Sequence, residues 1–292
     1  MTRLALILVL VFALAVAVAQ GATDRSASQR GAAWLLKGKP AGDGQGADTL
    51  SALRAAGKLS PSAAASRAAA LRAGAADYAV TAGATAKTIL GLVSSGSGNP
   101  RCAGKLDLYS RLVGFRANGR YGRSAWDQAL AMIATSSLGA KPPKSTARFL
   151  ASTRGKGGWN FSLIKDGPDD VTHTALAIMG LRAAGVRASN ADVKAGVKWM
   201  LTQRSPAGGF AHQRTDRNEA NATALALEAL KSVGRFDTRA DNALRGLQRS
   251  DGAFQFTATD SGSRGLATVD AVVALAGKEL PVVRRSRLPA RC

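Results

Sequence analysis

A short helical phrase recurs six times along this 292-residue chain, and it constrains the fold more than any other feature of the sequence. The clearest copies are Thr174-Ala-Leu-Ala-Ile-Met-Gly-Leu181 and Thr223-Ala-Leu-Ala-Leu-Glu-Ala-Leu230. Thr85–Leu92, Gln128–Ala134 and Thr268–Leu275 follow the same pattern, and Leu53-Arg-Ala-Ala-Gly57 echoes Leu181-Arg-Ala-Ala-Gly185. Each copy is Ala- and Leu-rich and apolar nearly all round, the mark of a buried helix rather than a surface one. Gly57, Gly185 and Gly234 follow the runs where a glycine in the left-handed conformation closes a helix. A fixed period of this size makes each repeat one supersecondary unit that must stack on its neighbours.

An amphipathic segment precedes each buried run, over residues 26–36, 64–76, 106–115, 144–151, 192–203 and 238–248. The turns between the two are Gly-rich and carry an aromatic: Gly157-Gly-Trp159-Asn-Phe, Gly208-Gly-Phe210-Ala-His and Asp251-Gly-Ala-Phe254-Gln-Phe. A weaker form is Asn118-Gly-Arg-Tyr121-Gly. Glycine permits the turn, and the aromatic is expected to cover the joint between units. Sustained period-two alternation is lacking, so strands are not expected. The expected fold is all-α: six helix hairpins closed into an α6/α6 toroid, with inner buried helices inside outer amphipathic ones, in a single domain over residues 20–283.

The ends suggest export. Arg3 precedes an apolar run from Leu4 to Ala19 that exits through Ala17-Val-Ala19, the three parts of a secretory signal peptide with cleavage after Ala19. The run is short for a membrane span. After cleavage no span is expected, and the chain reads as secreted or cell-envelope associated and monomeric. Residues 284–292 form a basic tail. Cys102 and Cys292 can form one bridge in an oxidising compartment or stay unpaired. The net charge of +21 is spread along the chain and aromatics are 5%. That excludes a concentrated nucleic-acid reader and leaves attraction to an anionic cell-envelope polymer.

The repeats resemble the prenyltransferase/squalene-cyclase superfamily, whose QW-type element is matched by Trp199, Gln203 and Gly208-Gly-Phe210, and by Leu244, Gln248, Asp251-Gly and Phe254. The resemblance covers residues 26–283, is closest in character to its secreted bacterial members of unknown function, and implies the terpenoid cyclase/protein prenyltransferase α/α toroid. It implies little about chemistry, because one fold hosts many sites. Where class II cyclases carry an Asp-x-Asp-Asp acid motif, this chain reads Asp170-Val-Thr172-His173, with Thr172 in place of the proton-donating Asp. Where prenyltransferase β subunits hold zinc with Asp-x-Cys and a His, this chain offers Ala125 and Asp127 with His173. Catalytic zinc takes three protein ligands, so no cofactor and no tightly bound metal are expected, and His173, Asp127 and Asp170 are the only weak candidates. A cobalamin carrier of this superfamily would also carry a β-rich second domain, and none is expected from the residues after 283.

Aligning the repeats places Ser124, Trp126, Asp127, Asp170, Thr172, His173, Glu219, Asn221 and Arg264 around the mouth formed by the inner-helix N-termini. Asp170 and Ser124 suit helix N-caps, with Asp127 completing a capping box. A polar rim on an apolar barrel is a form common to ligand pockets. The expected function is a non-catalytic toroid that binds a small amphipathic molecule or a cell-envelope partner. A degenerate or novel cyclase- or prenyltransferase-type enzyme is the alternative, and a cobalamin-binding carrier a third.

Overall fold

The computed structural model describes residues 26–292 except residue 216. The expected signal segment and its cleavage point after Ala19 lie outside the described residues. The protein is mostly helical. Helix α1 covers residues 26–36. It is followed by α2 (Gly44–Ala55), α3 (Pro61–Tyr78), α4 (Ala82–Ser95), α5 (Leu108–Gly114), α6 (Ala125–Ser137) and α7 (Lys144–Ser152). The second half comprises α8 (Val171–Ala183), α9 (Ala191–Thr202), α10 (Ala220–Ser232), α11 (Thr238–Arg245) and α12 (Arg264–Leu275). Two antiparallel ladders of two residues each, β1 (Cys102–Ala103) with β2 (Leu106–Asp107) and β3 (Arg116–Ala117) with β4 (Arg120–Tyr121), are additions the sequence pattern did not call for.

The repeated phrases form the even-numbered helices, and these are the buried ones. They pack in order, α2 on α4, α4 on α6, α6 on α8, α8 on α10 and α10 on α12, and α12 packs back on α2. Odd-numbered helices lie against this cycle: α3 on α4, α7 on α6 and α8, α9 on α8, α11 on α10. Small residues explain how closely the cycle closes. A Cβ at Gly91 would sit 2.7 Å from Ala47 Cα, and one at Gly180 would sit 3.0 Å from Ala129 Cα. Those distances leave no space for a side chain between α2 and α4 or between α6 and α8. The inner helices stop as the sequence implies, and more uniformly. Gly57, Gly96, Gly139, Gly185, Gly234 and Gly277 all have positive φ just beyond their ends. At Gly185, for instance, the Val186 amide returns to Leu181 O, so the terminal carbonyls are satisfied.

The phrase's Thr and the turn aromatic are one device. Thr174, Thr223 and Thr268 accept the backbone N–H of Trp159, Phe210 and Phe254 through Oγ1, at 2.9, 3.0 and 2.9 Å. Gln128 does the same for Tyr121 with Oε1. The three aromatics are fully buried, and Trp159 Nε1 donates to Leu150 O at 2.7 Å. A second stitch runs between units. The residue two places after each aromatic gives its carbonyl to the first amide of the preceding inner helix: Ala125 N to Phe161 O, Val171 N to His212 O and Ala220 N to Phe256 O, at 2.8, 3.0 and 2.8 Å.

The last residues are part of the body. Leu280 N donates to Glu228 Oε2, Arg285 N to Ser137 O, and Asn99 Nδ2 to Ala290 O. A disulfide joins Cys102 to Cys292. The segment 284–292, read from sequence as an appended tail, is therefore fastened to α6 and to the loop and strand β1 that follow α4.

Candidate functional site

The hydrogen-bonded Thr and Gln positions put the inner helices in register. Two residues further on stand Lys87, Leu130, Leu176, Leu225 and Asp270, and the matching residue of α2 is Asp48. Side chains from five helices converge there, which is possible only on the inside of the cycle. Lys87 Nζ bonds Asp48 Oδ2 at 2.5 Å and lies 5.1 Å from the centre of the Trp126 indole. Asn221 Nδ2 donates to Asp270 Oδ2 at 2.6 Å. Asp48 and Lys87 side chains keep 22% and 16% of their exposure, so solvent reaches the group.

Burial dominates the electrostatics. It pushes the Asp270 carboxyl up to about 7, with the Asp48 charge adding to the rise; the Asn221 hydrogen bond and the Lys87 ammonium act against it. Asp270 therefore holds a proton a large part of the time near neutrality. Burial works against the Lys87 charge, but Asp48 outweighs it and the pKa rises. Deeper in the cycle, Glu228 is fully buried and held well above the usual carboxylate range by burial and by Asp270, with the Leu280 amide pulling the other way.

The sequence-derived rim divides into three sets. Trp126 and Asn221 join the charged group. Asp170, Thr172 and His173 meet at the start of α8: Asp170 caps the helix by accepting His173 N at 2.8 Å, and it also holds His173 Nδ1 at 2.8 Å. The others have structural partners. Ser124 caps α6 by accepting Asp127 N. Asp127 accepts Gly83 N of α4 at 2.8 Å and Arg123 N at 3.2 Å, with no contact to His173. Glu219 Oε2 accepts His212 N at 2.8 Å. Arg264, the first residue of α12, donates from Nη2 to both oxygens of Asp251 and lies over the Trp34 ring.

Sequence reasoning missed four residues here. Asp48, Lys87 and Asp270 stand inside apolar runs, where they read as imperfections of weak copies. His212 stands two places after its turn aromatic, where the neighbouring turns carry Phe161 and Phe256; it lies over the start of α8, its Nδ1 3.3 Å from Thr172 Oγ1.

No protein-family model matches the sequence, and no curated protein is detectably similar to it. Among solved structures, the chain is similar to the type II terpene cyclase MstE from Scytonema in its apo form, with a TM-score of 0.57 over 88% of this chain and 98% of that one, at 16% identity. At that identity the likeness is one of fold: a terpenoid cyclase-like, all-helical architecture.

Proposed function

We propose that this chain is a non-catalytic, extracytoplasmic binding protein built as an α6/α6 toroid, and that it receives the polar end of a small amphipathic molecule at the mouth of the helix cycle. The cyclic packing order of the inner helices supports the toroid. The observation that carries the binding reading is the convergence of Asp48, Lys87 and Asp270 with Trp126 and Asn221. A charged, partly solvated group facing inward among apolar helices stabilises the fold poorly, since buried ion pairs rarely outdo apolar packing, but it suits recognition of a polar headgroup. Asp270 and Asp48 favour a cationic or hydroxyl headgroup over an anionic one. The +21 net charge supports residence near an anionic cell-envelope polymer.

Titration calorimetry with dodecylamine, dodecanol and dodecanoate, each below its micelle concentration, tests this. Binding of the amine or the alcohol, lost in Asp270→Leu, is the expected result. Heats no larger than those of Asp270→Leu for all three would remove the proposal. A second reading, an enzyme of cyclase or prenyltransferase type, is favoured by the proton held on Asp270. It would require a new product from a polyprenyl substrate that disappears in Asp270→Asn.

A further inference from the structure

We propose that Asp170, His173 and His212 form a binding site for one divalent transition-metal ion of the zinc class, with an open coordination position facing the mouth. The chain has two histidines in all, and the fold brings both to one carboxylate. His173 Nδ1 lies 2.8 Å and His212 Nδ1 3.4 Å from the same oxygen, Asp170 Oδ1. The imidazole centres are 5.7 Å apart, nearly perpendicular. One ligand atom from each of the three residues lies within 4.8 Å of the others. A tetrahedral ion with bonds of about 2.0–2.1 Å to nitrogen and oxygen needs ligand atoms roughly 3.3 Å apart. The Asp170–His212 pair already has that separation, and the Asp170–His173 pair reaches it by opening roughly half an ångström.

The ligands are also held in place from behind. The Asp170 carboxylate is fixed by capping His173 N. The His212 backbone is fixed at both ends of its residue, by Glu219 Oε2 on its N–H and by Val171 N on its carbonyl. Phe161 closes one side, edge-on to His173 with centroids 5.3 Å apart. Outer-shell restraint of this kind governs metal affinity. The other side is open, since the His212 side chain is 47% exposed. Three protein ligands plus an open position is the pattern of an exchangeable or reactive ion rather than a closed structural one. Two imidazoles and a carboxylate favour zinc, nickel or copper over magnesium or calcium, which take oxygen ligands. The N-terminal end of α8 carries partial positive charge, and the Asp170 carboxylate offsets it. Asp127, the preceding-helix partner considered from sequence, has no part in this site.

The site is independent of the Asp48–Lys87–Asp270 group, so its test is separate. Tag-free, chelator-treated protein is titrated with zinc chloride by calorimetry, and with cobalt(II) to read the visible bands of tetrahedral coordination. The expected result is one ion per chain, with affinity falling at least about 100-fold in His212→Ala and unchanged in Asp127→Asn. His212 contributes its backbone to the fold and its side chain to solvent, so His212→Ala should keep the wild-type circular dichroism and melting temperature without metal. Zinc affinity in the wild type no greater than in the His173→Ala/His212→Ala double variant overturns the proposal. So does binding that survives His212→Ala but is lost in Asp127→Asn.

Discussion

The two halves of the inner helix cycle differ at one repeat position. On α6, α8 and α10 that position holds Leu130, Leu176 and Leu225, each nearly or fully buried. On α12, α2 and α4 it holds Asp270, Asp48 and Lys87. Helical backbone and register are shared, so the difference isolates what a side chain does at this depth. The leucine half contributes apolar burial, worth about 1.5–3 kcal/mol for each leucine side chain. The charged half forgoes that and gains a group of defined protonation. The same scaffold position thus serves cohesion on one side and chemistry on the other.

Four measurements can break or sharpen this contrast. Leu176→Asp moves the charged half's chemistry into the leucine half without an Asn221 or Lys87 to meet it. Burying an unpaired carboxylate there should cost more than about 4 kcal/mol, read as loss of folded protein or a collapse of the urea midpoint. A cost below about 1 kcal/mol would mean that the two halves are equally wet. Next, Lys87→Met leaves Asp48 and Asp270 facing each other. Removing one member of a buried pair costs about 3–5 kcal/mol; partial solvation brings the expected loss to about 2 kcal/mol near neutral pH, shrinking in acid as the carboxyls protonate.

The third is the pH dependence of stability. The folded pKa of Asp270 is about 7, against about 3.9 for an unfolded Asp. Below about pH 4 the residue is protonated in both states, and its contribution is fully present. Between about pH 4 and 7 the native protein keeps a proton that the unfolded chain has lost, so stability declines as pH rises and levels off above the folded pKa. Glu228 shifts in the same direction. Urea midpoints measured from pH 4 to 8 should fall, and in Asp270→Asn the fall should be shallower; an unchanged slope would place the carboxyl in water. The smallest effect belongs to Asp270→Leu, which extends the leucine half by one helix. Replacing a buried polar group by an apolar one of similar shape is often near neutral, so stability should stay within about 1 kcal/mol of wild type at pH 8. A large loss would make Asp270 a structural residue.

Much of this architecture was legible in the chain. Thr-Ala-Leu phrases, terminal glycines and Gly-aromatic turns each carry a local physical reason, and each recurs, so one copy interprets the next. The site was less legible for the same reason. Asp48, Lys87 and Asp270 depart from the consensus singly, on helices separated by long stretches of sequence, and their convergence depends on α12 meeting α2. Two rim residues have partners that the repeat alignment does not reveal: Arg264 pairs with Asp251, and Asp127 also accepts Gly83 N of the neighbouring helix. His212 was visible as the residue two past Phe210, but its role depends on a stitch between units that no single unit reveals.

That stitch has a consequence for how such a chain could diversify. The side chain that decorates the start of one inner helix is encoded in the following repeat, on a backbone position whose carbonyl does the structural work. Phe161, His212 and Phe256 occupy equivalent places on that backbone. Mutation can exchange them while the carbonyl keeps its bond, much as tiles are exchanged on a roof whose battens stay put. A duplicated or recombined repeat would deliver new surface chemistry to its neighbour rather than to itself. In a lineage of such proteins, the mouth could be rewritten one position at a time, with inheritance of the fold and inheritance of the chemistry running on separate atoms of the same residue.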